Sequence, residues 1–379
     1  MSFTKFFEEN YLKDYFNIEK AKPGEFYHFI RPNKEQLLIN FVAKWKGIRQ
    51  RDKEWYDLMG LTIGGSEIAA IMGKNKYSSR EKVIADKVCM LFGENNFNGG
   101  AACNWGILFE DALCPCIEDI FETKIYGDSI VIQVYTPHRN SPDGYMVVGA
   151  FFAEGINCKV KHGDIGICTK YDAETATDEL LLLLEFKCPH TRRVATVPEH
   201  YAMQVQSGLM VSPIADLGLF VDAMFRKCKL ADLGTTTYDR NYHNRDRAPY
   251  PVAVIAYGII LVFDGEEHEN YIDFGDNCDF DQILDKINKK EYTVKYMPIN
   301  QSIIEPCLGI IPWNLYELVY TFIERDTGFF NRVMPVIEGT INEVQKRVAE
   351  RKLMEKSINC VQKEIEYPSE EAILALARI

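Results

Sequence analysis

Apolar residues recur at helical spacing at Leu37, Leu38, Phe41, Val42 and Trp45, predicting a helix in the otherwise polar and aromatic stretch 1–50. From Trp55 to Gly73 the chain reads WYDLMGLTIGGSEIAAIMG. Gly64 and Gly65 suit a turn, Ser66 an N-cap, Glu67 to Met72 a short helix, and Gly73 its end. A second helix is expected from Ser79 to Leu91, followed by a loop from Glu94 to Gly100. Trp105 to Phe121 again carries one apolar helical face, with Pro115 as a kink within it.

Period-two patterning then takes over. Ile130 to Tyr135 and Tyr145 to Phe152 read as strands around the turn chemistry of Asn140 to Gly144 (NSPDG). Glu179 to Cys188 (ELLLLLEFKC) is a short apolar run suited to a central strand covered on both faces. Glu199 to Val211 reads as a helix and Leu217 to Phe225 as a further strand. Residues 228–312 look like an elaboration, with a polar loop, a strand from Val252 to Phe263 and a helix near Phe280 to Lys289. Leu315 to Ile323 is expected to be the last core strand, before a long helix to about Arg351 and a tail over 352–379. No repeat or low-complexity linker divides the chain, so residues 1–379 read as one elaborated α/β domain.

Composition changes this picture little. A chain of 379 residues with 47% hydrophobic and 26% charged positions can bury a sizeable core as a soluble protein. No apolar run of about 18 residues points to a membrane span. Met1 to Tyr11 is polar without a signal-peptide core, so an intracellular setting is expected. The 11 cysteines are scattered, with Cys114 and Cys116 the one close pair and no CxxC. Buried free thiols fit better than a thiolate metal site. A net charge of −12 would usually argue against a nucleic-acid partner. An enzyme that grips a few phosphates through basic residues on one face, and holds metals with carboxylates, escapes that objection.

The chemistry centres on the end of the leucine strand. Side chains alternate along a strand, so Glu185 and Lys187 share a face. Charges buried there must be paired or bound to a metal. A plain Glu–Lys ion pair, or a strand end reaching solvent, would explain these two residues alone. Three companions widen the reading: Asp143 in a turn at a strand junction, Glu110 within an amphipathic helix, and Gln204 with Gln206 in the helix that follows. Converging carboxylates make an oxygen site for Mg2+. Such ions activate water and clamp the oxygens of a phosphodiester, and a nearby lysine can orient the water or steady the developing charge.

Several segments, in order, resemble the phage lambda exonuclease group of YqaJ-type viral recombinase nucleases, which includes homologues from large DNA viruses. They are Trp55 to Glu67, Trp105 to Ala112 (WGILFEDA), Ser141 to Gly144 (SPDG), Glu185 to Pro189 (EFKCP), Tyr201 to Val211 (YAMQVQSGLMV) and Ile323 to Glu338. They span roughly residues 41–347; SPDG, E-x-K-C-P and Q-V-Q together are specific where each alone is not. The resemblance implies a PD-(D/E)xK, restriction-endonuclease-like α/β core, a central mixed sheet flanked by helices, with insertions at about 147–179 and 228–312. It implies a 5′-to-3′ exonuclease on double-stranded DNA ends, in viral recombination, repair or replication, using two Mg2+ or Mn2+ ions. Asp143 and Glu185 would be the principal metal ligands, Glu110 would complete the site, Lys187 would be the catalytic lysine and Gln204 a supporting residue. Ser66 would help hold a terminal 5′-phosphate, although simple helix capping explains that serine nearly as well.

Two positions depart from the family pattern. Where relatives place an arginine for the 5′-phosphate this chain has Met59, leaving Arg49, Arg51, Arg192 or Arg193 to substitute. The interval between Asp143 and Glu185 is also long, and Asp164, in a second strand-like segment, is the alternative metal ligand. Arg192 and Arg193, directly after the strand, suit backbone-phosphate contacts. His190 and His200 suit scaffold or DNA contacts rather than a magnesium site. Trp45, Trp55, Trp105 and Trp313 suit the core. Relatives form rings around DNA and work with a single-strand annealing protein, so a homo-oligomer and such a partner are further expectations. For a large-DNA-virus protein the place of action would be the host cytoplasm.

Overall fold

The fold is that of a computed structural model. It describes residues 34–45, 53–94, 100–150 (less 122, 129 and 136), 159–161, 167–168, 178–190, 197–235 (less 230 and 231), 237–238, 251–263 (less 253), 270–273, 293–294 and 307–364. The expected helix near Phe280 to Lys289 lies outside these residues, as do most of the Glu94 to Gly100 loop and the strand-like segment around Asp164.

Helices α1 (Lys34–Val42), α2 (Lys53–Leu61), α3 (Ile68–Ile71), α4 (Arg80–Leu91) and α5 (Ala101–Phe121) come first, with the short strand β1 (Ile63–Gly64) between α2 and α3. Strands β2 (Ile132–Tyr135), β3 (His138–Asn140), β4 (Gly144–Ala150), β5 (Lys159–Lys161), β6 (Ile167–Cys168) and β7 (Asp178–Lys187) follow. After β7 come α6 (Glu199–Val211), β8 (Leu217–Lys227), β9 (Thr237–Tyr238), β10 (Pro251–Val252), β11 (Ala256–Phe263), β12 (Asn270–Asp273), β13 (Thr293–Val294), β14 (Cys307–Ile323) and α7 (Phe329–Glu364).

The main sheet runs β13-β12-β11-β14-β8-β7-β4-β6, with β5 also on β14. It is mixed: β7 and β8 are parallel, and the other pairings are antiparallel. A parallel pair needs a crossover, and α6 lies within it. Leu181 and Leu183 of β7 enter one core with α1, α3, α6 and α7. Leu180, Leu182, Leu184 and Phe186 enter another, with Phe109, Leu113, Ile117 and Phe121 of α5. Those four α5 residues, four positions apart, make the stripe that seats the helix on its face of the sheet. The leucine run is therefore a strand with helices on both sides, as its composition demands.

Four expectations change. Ser66 is not an N-cap: Gly65–Glu67 form a 3-10 turn entered from Gly64, and the Glu67 carboxylate accepts the Gly64 N–H at 2.7 Å. The α-helix then runs only from Ile68 to Ile71, and Gly73, at φ +70°, ends the segment. The strand expected from Val252 to Phe263 is two, β10 on β9 and β11 in the main sheet. The last core strand starts at Cys307, not Leu315, so part of the supposed elaboration lies inside the main sheet. Pro312 hides this in the sequence, yet its carbonyl still accepts the Cys228 N–H at 2.9 Å.

The fourth change is the tail. The last helix continues past Arg351 to Glu364. Its apolar stripe gives way to charged residues that bind other helices: Arg347 pairs with Glu81 on α4, and Arg351 with Glu94 just beyond it. Among the described residues no helix is long and apolar enough to cross a membrane.

Candidate active site

The antiparallel register pairs Gly144 with Leu184, so Asp143, one residue earlier, falls beside Glu185. Two backbone contacts fasten it. The Asp143 N–H donates to Leu184 O at 3.3 Å, and its Oδ2 accepts the Phe186 N–H at 2.6 Å. Gly144 makes the junction feasible. Its φ of +141° disfavours an L side chain, and a Cβ there would collide with Ile125.

Glu185 is buried with 2% of its surface exposed. Lys187 projects from the same strand face, and its Nζ lies 2.6 Å from Glu185 Oε1 and 3.5 Å from Glu110 Oε1, on α5. It also donates to Phe186 O at 2.6 Å and lies 5.6 Å from the Tyr201 ring centre on α6. The close partner of the buried Glu185 Oε1 is thus the Lys187 ammonium.

Electrostatics follow from this crowding. Burial, then the Glu185 and Glu110 charges, hold Asp143 well above the usual carboxylate range, against the pull of Lys187 and the Phe186 N–H. Burial also raises Glu185, opposed by Lys187 and by a hydrogen bond from Gln204. Burial alone would lower Lys187, but the Glu110, Glu185 and Asp143 carboxylates together hold it well above its ordinary value. Lys187 is a firm cation among acids.

Among the described residues, no three Asp, Glu, His or Cys side chains form a ready-made ion site. As placed, Lys187 takes up Glu185 and Glu110, while Asp143 faces a backbone N–H. The donors still suit a hard divalent cation: they are all carboxylate oxygens, and three acids face one ammonium, which leaves negative charge in excess. Asp143, Glu185 and Glu110 are the residues that could hold such an ion.

The other expected site residues separate. Gln204 joins the cluster through Glu185, whereas Gln206 braces the fold by bonding Glu324 O and the Asp326 N–H. Ser66 is exposed on its turn. Arg51, Arg192, Arg193 and Asp164 lie outside the described residues. His190 packs on Trp105 and His200 on Tyr201, ring centres 4.8 Å and 4.1 Å apart. Trp313 is in the core, and Trp45, Trp55 and Trp105 are half-buried.

A second polar group, absent from the expected site residues, lies behind the Gly64 turn and is made by Glu67, Lys87, His138 and Arg139. One signal for it stands in the sequence: Lys87 falls in the buried stripe of Val83, Ile84 and Val88, where an apolar residue belongs.

Residues 44–215 match the YqaJ-like viral recombinase domain. A protein of African swine fever virus (strain Badajoz 1971 Vero-adapted) is 30% identical over 311 residues, covering 78% of this chain and 86% of that protein. The chain belongs to the YqaJ-like viral recombinase family. The counterpart from the Pretoriuskop tick isolate of the same virus is also 30% identical, over 80% of this chain and 88% of its own length. The domain match contains the whole Glu110–Asp143–Glu185–Lys187–Gln204 set and the Gly64 turn, and ends before β8. Among solved structures, an alkaline exonuclease (LHK-Exo) from Laribacter hongkongensis is 14% identical with a TM-score of 0.41, covering 81% of this chain and all of that one. A phage-related exonuclease from Haemophilus somnus 129PT is 10% identical with a TM-score of 0.38, over 78% of this chain and 99% of that one. The PD-(D/E)xK core reads from the chain's own topology: a helix carrying Glu110, a strand pair bearing Asp143 and Glu-x-Lys, and a crossover helix carrying Gln204.

Proposed function

We propose that the chain is a metal-dependent deoxyribonuclease, a 5′-to-3′ exonuclease on double-stranded DNA ends in viral recombination, repair or replication. The observation that carries this reading is the convergence of Glu110, Asp143, Glu185 and Lys187 at one end of the central sheet. Membership of a viral recombinase family agrees with it.

Asp143, Glu185 and Glu110 would hold Mg2+ or Mn2+, two ions in the full site. Bound there, the metal would act as a Lewis acid toward the phosphate and the attacking water. Lys187, a cation beside the carboxylates, steadies charge developing on the phosphate oxygens. Gln204 fixes the Glu185 carboxylate, and the Tyr201 ring flanks the Lys187 ammonium. A single-strand annealing protein and further copies of the chain are the partners this reading favours, with the host cytoplasm as the place of action.

Linear duplexes labelled at either end, and a covalently closed circle, test the proposal with Mg2+, with Mn2+ and with a chelator. Label should leave the 5′ end first, only with metal, and the circle should survive. Cutting of the circle would replace the exonuclease by an endonuclease. Intact linear DNA under every metal condition would sink the nuclease reading.

A further inference from the structure

One fully buried acid takes no part in the carboxylate cluster. Asp222, in the middle of β8, has 0% of its surface exposed and stands in an apolar run, FVDAM. Parallel pairing puts it in register with Lys187 of β7, and puts Phe220 in register with Glu185. In-register residues of neighbouring strands point to the same side of a sheet, with the strands about 4.8 Å apart. That side lies under α6. Phe220 stacks on the Tyr201 ring at 5.6 Å between centres, and the same ring lies 5.6 Å from Lys187 Nζ. The other register neighbour of Asp222 is Val319 of β14. Of the two, Lys187 is the charged one.

The Cys188 thiol feels the same arrangement. Burial pushes it up, Glu110 adds to the push, Lys187 opposes it, and Asp222 contributes ahead of Asp143. The Asp222 charge therefore acts at the end of β7, where the candidate catalytic groups meet. As placed, the Lys187 ammonium leans on Glu185 at 2.6 Å and on Glu110 at 3.5 Å. Those two carboxylates are also among the three able to hold a divalent cation. Once they turn to it, a buried ammonium stands beside a second positive charge, which is costly without a fresh counter-charge. Asp143 is itself the third candidate ligand, and the Tyr201 ring offers only its face.

We propose that Asp222 is a positioning residue that takes over the Lys187 ammonium once Glu185 and Glu110 turn to a divalent cation. The flexible four-carbon stem of a lysine spans the roughly 4.8 Å between strands without a backbone shift. Asp222 already has a contact of its own, and Lys187 becomes an additional partner. The handover has two effects. It lowers the cost of metal entry, because the carboxylates can release one cation as they accept another. It also pins the ammonium beside the site instead of leaving it to be repelled. Asp222 lies beyond the domain match, which ends at residue 215. Its part in cleavage rests on the nuclease reading, whereas the handover itself needs only the metal.

The test is a double-mutant cycle on the full chain without DNA, read by calorimetric titration with Mg2+. Asp222→Asn should weaken Mg2+ binding about tenfold while Lys187 is present. In a Lys187→Ala background the same change should cost less than about twofold, because no ammonium needs a new partner. Equal losses in the two backgrounds show Asp222 acting through its general field or its packing, and overturn the handover. Unchanged affinity in folded Asp222→Asn overturns it too. Should that variant not fold, a crystal structure of the wild type with Mn2+ decides. Lys187 Nζ should then lie nearer to an Asp222 oxygen than to any Glu185 oxygen, and the reverse order overturns the proposal. A wild type that binds neither Mg2+ nor Mn2+ overturns both the handover and the metal site. A wild type that binds metal as described yet cuts no DNA keeps the handover and removes the nuclease reading.

Discussion

Two buried polar groups lie within four residues of each other along the chain, and their charge balances are opposite. At the end of β7, three carboxylates surround one lysine. Behind the Gly64 turn, Lys87 pairs with the Glu67 carboxylate and Arg139 adds a second buried cation within its field. The first group lacks positive charge and the second lacks negative charge. A sequence-wide charge of −12 conceals both, because recognition depends on where an imbalance is desolvated rather than on its sum.

The largest test of the contrast falls on the acidic group. Glu185→Gln and Lys187→Ala should each lower metal-dependent cleavage by about a hundredfold or more, measured as initial rates on linear duplex. Their effects on stability should be opposite. Glu185 is disfavoured as an anion by its burial, so Glu185→Gln should leave the metal-free Tm unchanged or higher. Lys187→Ala strands three acids together and should lower it. Equal Tm changes of one sign would show that the charge imbalance has been misread.

Asp143→Ala compared with Asp164→Ala is the next step. Activity lost only in the Asp143 variant supports the observed register, and the reverse result moves the metal ligand into the insert. Gly144→Ala tests the same junction through the backbone. Strain at φ +141° with a collision on Ile125 should destabilise the fold by about 1–3 kcal/mol, read by urea denaturation.

Smaller effects come from pH. Folded Asp143 and Glu185 hold protons to higher pH than the unfolded chain does. Metal-free stability should therefore fall as pH rises from about 4 through the raised values. Mg2+ competes with those protons, so its Tm increment should grow from about pH 5.5 to about pH 8; a flat increment would place the ion elsewhere. His138 has the opposite sign. Burial, then Arg139, push it down to about 3, so the unfolded chain binds a proton near pH 6.5 that the folded chain refuses. Stability is then lost as pH falls across that window, at up to about 1.4 kcal/mol per unit, and His138→Asn should flatten this slope.

The elements legible in the sequence were those with one uninterrupted period. The helix from Glu199 to Val211 matches end to end, and Ser79 caps α4 by accepting the Lys82 N–H. The Glu-x-Lys strand was readable because five leucines alternate between two cores. Elsewhere local chemistry misled. Ser66 looks like a cap, but Glu67 reaches back to Gly64 in its place. Pro312 masks the first half of β14, and beyond Arg351 α7 runs on through exposed residues whose polarity breaks the apolar stripe that periodicity follows. Within the site, Glu185 and Lys187 were legible from their spacing on one strand, whereas Glu110 and Asp143, 77 and 43 residues from their partners there, were legible only through the ordered family motifs. Arg139 was not, since its partners Gly64, Glu67 and Trp55 lie about 70 to 85 residues earlier.

The crossover helix α6 gives the two groups a fixed separation. Gln204 and Ser207 are three residues apart on it, about 4.5 Å along its axis. The carboxylate cluster and the polar group behind the Gly64 turn are therefore spaced by a rigid helix rather than by a loop. A one-residue insertion between Gln204 and Ser207 would turn one of them off its partner by about 100°, uncoupling Glu185 from His138.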